Sequence, residues 1–125
     1  MSVLQNAQEL YAMIGQGQMI EALDKFYADD CRIQEADGTI REGKEAQKAG
    51  VQQWVAGIQE MHGGGVGSIT ANEETGHATV ESWTDITMGG NRFKMEEVAV
   101  QKWENGKIVH ERFYYNMAGM QPPQQ

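Results

Sequence analysis

Apolar side chains recur at helical spacing from the start of the chain. Leu4, Ala7, Tyr11 and Ile14 form a stripe that Leu10 widens, and Gly15-Gln16-Gly17 supplies a stop. Met19, Ile20, Leu23, Phe26 and Tyr27 repeat the pattern, so a second helix is expected to end near Ala28-Asp29-Asp30. The period then shortens to two. Cys31 to Glu35 alternates as a short strand, with Cys31, Ile33 and Glu35 on one face and Arg32 and Gln34 on the other. After an Asp37-Gly38 turn and Gly43, a third helix is predicted over 44–61. Its stripe is Val51, Trp54, Val55, Ile58 and Met61, and Gly63-Gly64-Gly65 is read as the flexible break.

Beyond Val66 the alternation is that of strands: 67–72, 77–88, 92–103 and 107–117, separated by Glu73-Glu74-Thr75-Gly76, Gly89-Gly90-Asn91 and Glu104-Asn105-Gly106. Helices followed by a meander give an α+β architecture, in which N-terminal helices pack on the concave face of a curved, mostly antiparallel sheet. A single domain is expected over 1–120, with a flexible tail at 121–125 that contains both prolines.

The last hairpin decides which residues face inward. A three-residue Glu104-Asn105-Gly106 loop pairs Trp103 with Lys107, Gln101 with Val109, Ala99 with Glu111 and Glu97 with Phe113. A two-residue Asn-Gly turn is the competitor and would flip one strand's face. The first register gathers Phe93, Met95, Ala99, Trp103, Val109, Phe113 and Tyr115 on one face. It leaves Arg92, Lys94, Lys102, His110 and Arg112 for water. Glu97 and Glu111 then fall on the apolar face as diagonal neighbours, roughly 7–8 Å apart. Glu35 is the third inward carboxylate, and Tyr11 lies on the inner stripe of the first helix. Carboxylates and a phenol among apolar groups are the materials of acid–base chemistry, since burial and like charge both raise a carboxyl pKa. A pocket there would be lined by Trp54, Met95, Glu97, Gln101, Glu111, Phe113 and Tyr115.

Composition narrows the partners. The net charge of −8, with ten scattered Lys and Arg, argues against nucleic acid and anionic membrane surfaces. No apolar run approaches ~20 residues, and Met1 to Gln8 lacks the basic and apolar segments of a signal peptide, so a cytoplasmic location is the default. The lone Cys31 excludes an internal disulfide. The spacing of His62 and His110 to the carboxylates fits no zinc signature, so neither metal nor cofactor is expected. Apolar residues left on the other sheet face, Val98, Val100, Ile108 and Tyr114, suggest a homodimer.

Four segments carry a family resemblance: Phe26-Tyr27-Ala28-Asp29-Asp30, Gln34-Glu35, Gly43-Lys44-Glu45-Ala46 and the run from Gly106 to Tyr115. With these the chain resembles the nuclear-transport-factor-two-like superfamily, and within it the SnoaL-like proteins. Ketosteroid isomerases look like distant relatives. By that resemblance Glu35 stands where they place a general base and Tyr11 where they place an oxyanion donor. Ala99 stands at the second donor position, so that donor is missing here. The resemblance implies a small apolar ligand and a cofactor-independent isomerase, cyclase or dehydratase. The alternative is a non-catalytic ligand-binding or dimeric interaction module on the same fold.

Overall fold

The computed structural model describes residues 1–116. The expected tail at 121–125, and Met117 at the expected end of the last strand, lie outside the described residues. Three helices and six strands follow in order: α1 (Val3–Gly15), α2 (Met19–Phe26), β1 (Tyr27–Gln34), β2 (Ile40–Glu42), α3 (Lys44–Gly57), β3 (Ile58–Asn72), β4 (His77–Met88), β5 (Asn91–Glu104) and β6 (Lys107–Tyr115). The strands form one sheet in the order β2-β1-β6-β5-β4-β3. Every pairing is antiparallel except β1 with β6, which is parallel. The sheet is curved and open, with β2 and β3 as its edges, and the helices cover one face, as the patterning predicted.

The start of α1 is fixed locally and from a distance. The Ser2 hydroxyl accepts from the Gln5 amide while the Gln5 side chain accepts from the Ser2 amide, a complete capping box. The Glu73 carboxylate, from the β3–β4 turn, accepts from the amides of Val3 and Leu4 at 2.9 and 3.1 Å. A negative group at the positive end of the helix dipole is favourable there. The core beneath joins Ala7 and Leu10 of α1, Ala22, Leu23 and Phe26 of α2, Cys31 and Ile33 of β1, and Ala78, Trp103 and Ile108 of the sheet. The Phe26 and Trp103 rings meet edge to face at 5.8 Å.

The structure differs from the sequence pattern at several places: α2 stops at Phe26, so Tyr27 to Asp30 belong to β1, and β2 is a strand the pattern does not show. The third helix stops at Gly57, and Ile58 begins β3, so Ile58 and Met61 belong to a strand paired with Met88 and Ile86 of β4. Gly63-Gly64-Gly65 is therefore no flexible break. It lies inside β3, where the Trp83 ring of β4 crosses it; a Cβ on Gly65 would stand 2.9 Å from the Trp83 indole nitrogen. Finally, the last hairpin uses the two-residue turn. Glu104 faces Lys107, and Asn105 and Gly106 both take positive φ, 52° and 77°.

A bulge between Lys102 and Trp103 then restores the parity of the pairing. Further along, Gln101 faces Glu111, Ala99 faces Phe113 and Glu97 faces Tyr115. The inward set of β5 and β6 is thus kept, displaced by two residues. Two consequences differ from expectation. Glu97 and Glu111 are separated by the Ala99–Phe113 pair instead of being diagonal neighbours. Ile108, expected on the outer face, pairs with Trp103 and is fully buried in the core, while Val109 is only partly buried.

Candidate functional site

The inner sheet face brings together three carboxylates from different parts of the chain. Glu111 comes from β6, beside Ile33 of β1 in the parallel pairing. Glu97 comes from β5, and Glu35 follows directly on β1. At the deep end, Glu111 is completely buried, and both its oxygens are occupied. Tyr27 at the start of β1 donates its hydroxyl to Oε1, and Gln101 donates from Nε2 to Oε2 at 2.7 Å. Gln101 is held in turn by the Trp103 indole, which donates to its Oε1 at 3.1 Å. The chain Trp103–Gln101–Glu111–Tyr27 is thus internally satisfied, as a buried polar network must be.

Burial pushes the Glu111 carboxyl up to about 7, against the opposing effect of the Tyr27 and Gln101 hydrogen bonds. Burial and the nearby Glu111 charge hold the hydroxyls of Tyr27 and Tyr11 well above the ordinary tyrosine range. For Tyr11, Glu97 adds to that effect and Gln101 opposes it, which places the α1 phenol among Glu111, Glu97 and Gln101.

Toward the outer end, Glu35 is anchored from two sides. Arg41 of β2 forms a salt bridge to its Oε1, and Tyr115 of β6 donates to its Oε2 at 3.1 Å. Arg41 is itself positioned by α3: its Nε donates to the buried Gln47 at 2.8 Å, and Gly50 leaves space for its guanidinium stem. Glu97 lies between the two ends. It is largely buried, and burial with the Glu35 charge beside it pushes its carboxyl up to about 7.

Of the residues singled out from the sequence, Glu35, Tyr11, Glu97, Gln101, Glu111 and Tyr115 come together in this arrangement. Met95 and Phe113 flank them, partly buried on the same face. Trp54 sits partly buried on α3 and takes no part in the hydrogen-bonded network. Sequence reasoning missed Tyr27, which was counted into the second helix, and Arg41, which lies on a three-residue strand too short to show alternation. The parity of Arg41 opposite Ile33 is the signal that turns it inward, and it requires knowing the β1–β2 pairing.

The opposite sheet face carries a groove of about 360 Å³ beside Trp83, Val98 and Tyr114, with Glu81 and Glu96 at its margin. Ser82 and Glu97 border it as members of the strands that floor it. The Glu97 carboxyl nevertheless belongs to the inner site, since the charge that acts on it is Glu35. Lys94 lies over the Trp83 ring and Arg112 over the Tyr114 ring, at 4.8 and 4.7 Å.

The α+β cone is the fold of proteins described as NTF2-like. Within it the chain belongs to the SnoaL-like domain family, whose profile matches residues 1–115. A Mesorhizobium loti protein whose name proposes a SnoaL-like polyketide cyclase is 32% identical, with TM-score 0.83 over 92% of this chain and 100% of that one. An NTF2-like protein of unknown function from Burkholderia pseudomallei shares the fold at 19% identity, with TM-score 0.80 over 94% of this chain and 93% of that one. So does a protein of ketosteroid isomerase-like fold from Catenulispora acidiphila, solved with trimethylamine. It is 18% identical, with TM-score 0.74 over 89% and 85%. None of the curated proteins matches this chain. Among the described residues no helix is long and apolar enough to cross a membrane.

Proposed function

We propose that the chain binds a small, largely apolar molecule between its helices and the inner sheet face, and moves a proton on it without a cofactor. The convergence of Glu35, Glu97 and Glu111 with the Tyr11 and Tyr115 hydroxyls on that face carries this reading. A carboxylate removes a proton next to a carbonyl, and the Tyr11 phenol donates to the oxyanion that forms. Gln101 and Glu111, fully buried and bonded to each other, back the site, while Trp54, Met95, Phe113 and Tyr115 line it. This is the chemistry of an isomerase, cyclase or dehydratase; the name of the Mesorhizobium loti relative, which carries both polyketide cyclase and carbohydrate phosphatase, supports it in its first half. Thermal unfolding with a panel of fused-ring ketones and phenols tests the binding. A ligand of the folded state raises Tm, and the rise is expected to disappear in Phe113→Ala. A panel without any stabilising compound defeats this reading.

A second reading concerns assembly, and the outer groove supports it. Tyr114 is 47% exposed there, with charges of both signs around it from Lys94, Glu96 and Arg112. Such a face suits a second copy of the chain, in which apolar centres meet and opposite charges pair. Light scattering is expected to give a dimer mass for the native chain and a monomer mass for Tyr114→Glu. A native monomer at micromolar concentration rules the assembly out.

A further inference from the structure

We infer that Glu97 is the residue that takes the proton, and that Glu35 is a positioning residue beside it. This rests on the proton-transfer reading above and assigns its central role differently from the family resemblance.

Glu35 has one oxygen on Arg41 and the other on Tyr115. Glu111 has one on Tyr27 and the other on Gln101. A carboxylate held by a donor at each oxygen is fixed in orientation, and turning it toward a substrate proton breaks a network. Glu97 has no hydrogen-bond or ion-pair partner among the described residues. It occupies the inner face between Met95 and Ala99, opposite Tyr115 on β6 and Ser82 on β4. Among the described residues no side-chain oxygen sealed from solvent lacks a partner, so the unpartnered Glu97 carboxyl is reachable from outside, and a substrate C–H or O–H can approach it.

The charged and titratable groups around Glu97 are Glu35 after β1, Arg41 on β2 next to Glu35, Glu111 and Tyr115 on β6, and Tyr11 on α1. None donates to Glu97. Burial first, and the Glu35 charge beside it second, keep Glu97 protonatable near neutrality, so that it can both accept and return a proton. The fixed Arg41–Glu35–Tyr115 array holds that charge in place.

Elimination of nitrobenzisoxazole provides a substrate-independent probe. The base takes the ring C–H proton adjacent to nitrogen. The freed pair completes a nitrile, the N–O bond breaks, and its pair remains on oxygen as a coloured phenolate; the proton passes from the carboxyl to water. Binding of the probe is read separately by ligand-observed NMR. The native protein is expected to bind the probe and accelerate its loss beyond acetate at equal concentration, with kcat/KM rising through a midpoint near 7. Glu97→Gln should bind equally and lose roughly 10²–10⁴-fold in rate. Glu97→Asp, which keeps the acid but withdraws it, should fall between the two. Glu35→Gln should move the pH midpoint to lower pH, because a neighbouring negative charge has gone, and should lose less rate than Glu97→Gln. A merely structural Glu35 would leave that midpoint unmoved and would overturn the positioning role. Loss of rate in Glu35→Gln with Glu97→Gln active would return the base to Glu35, leaving the proposed function standing and this assignment overturned. Binding without acceleration overturns the assignment as well. Absence of binding defeats the proposed function, and this inference with it.

Discussion

Tyr27 donates its hydroxyl to the fully buried Glu111 across the only parallel strand pair of the described sheet. The two residues are 84 positions apart in sequence, so the bond forms only when β1 docks beside β6. Removing the hydroxyl leaves one oxygen of a buried carboxyl without its donor. Tyr27→Phe should therefore lower the unfolding free energy by roughly 1–3 kcal/mol in urea titrations, while far-UV circular dichroism stays native. It should also raise the Glu111 pKa further, since the Tyr27 bond holds it down. A loss below about 0.5 kcal/mol would show that the bond contributes nothing net.

Stability should depend on pH in an unusual direction. Glu97 and Glu111 are each raised to about 7 in the fold, above the ordinary 4.5 of the unfolded chain. An acid with a raised folded pKa binds its proton more tightly in the native state. Its stabilisation is complete below 4.5 and is lost as pH rises from there through 7. Each group alone corresponds to roughly 3 kcal/mol between those limits. The exposed Asp37 and the half-buried Asp85 are shifted the other way, Asp37 by hydrogen bonds at Thr39 and Asp85 by Arg92, and they weaken the fold only at lower pH. The urea midpoint should thus be higher at pH 5 than at pH 8, and Glu97→Gln should narrow the difference. A midpoint that increases with pH across this range would contradict the burial of both acids.

Much of this arrangement is legible in the chain because alternation is robust. Helices α1 and α2 and the inward set of β5 and β6 follow from periodicity. The face assignment from Glu111 to Tyr115 also survives a wrong loop length, since the bulge at Val109 compensates for the shorter turn. The α3–β3 boundary is not legible. Trp54, Val55, Ile58 and Met61 continue a helical stripe across Gly57, and only pairing with β4 pulls Ile58 into a strand. The same pairing turns three glycines from a break into a slot for Trp83. Glu35, Glu97 and Glu111 could be assigned inward by parity, whereas their partners Tyr27 and Arg41 depend on strand neighbours that no local pattern specifies.

Two glycines should prove intolerant for different reasons. Gly76 has φ 78°, and a Cβ there would stand 2.8 Å from the Trp103 carbonyl, whose own amide donates to the Gly76 oxygen at 2.7 Å. Gly76→Ala combines left-handed strain with a backbone clash and should cost about 1–3 kcal/mol. Gly65 has no positive φ, but a Cβ would push on the Trp83 indole. Gly65→Ala should therefore shift Trp83 and change the tryptophan fluorescence spectrum, with a smaller loss of stability. Equal costs at the two sites would mean that backbone strain at Gly76 is unimportant.

The Glu35–Arg41 pair joins the strand end, β2 and α3, and its energetic worth can be isolated. The two side chains are 19% and 24% exposed, which puts the pair between the regimes for surface and interior ions. Exposed pairs contribute ~0–1 kcal/mol. Breaking a fully buried one costs ~3–5 kcal/mol, because the remaining charge is left in a poor medium. A coupling of roughly 1–2 kcal/mol is expected here from a double-mutant cycle of Glu35→Gln, Arg41→Leu and both together. The two single changes should be unequal. Glu35→Gln leaves Arg41 bonded to Gln47 and removes a negative charge from beside Glu97 and Glu111. Arg41→Leu leaves Glu35 beside those two acids with only the Tyr115 hydroxyl to hold it, and it also strips Gln47 of its partner. The arginine change should thus be the more damaging of the two, and partial burial should preserve the coupling in high salt. A coupling that vanishes at 1 M salt, or a glutamate change costlier than the arginine change, would show that Arg41 is a surface ion and not the anchor of the site.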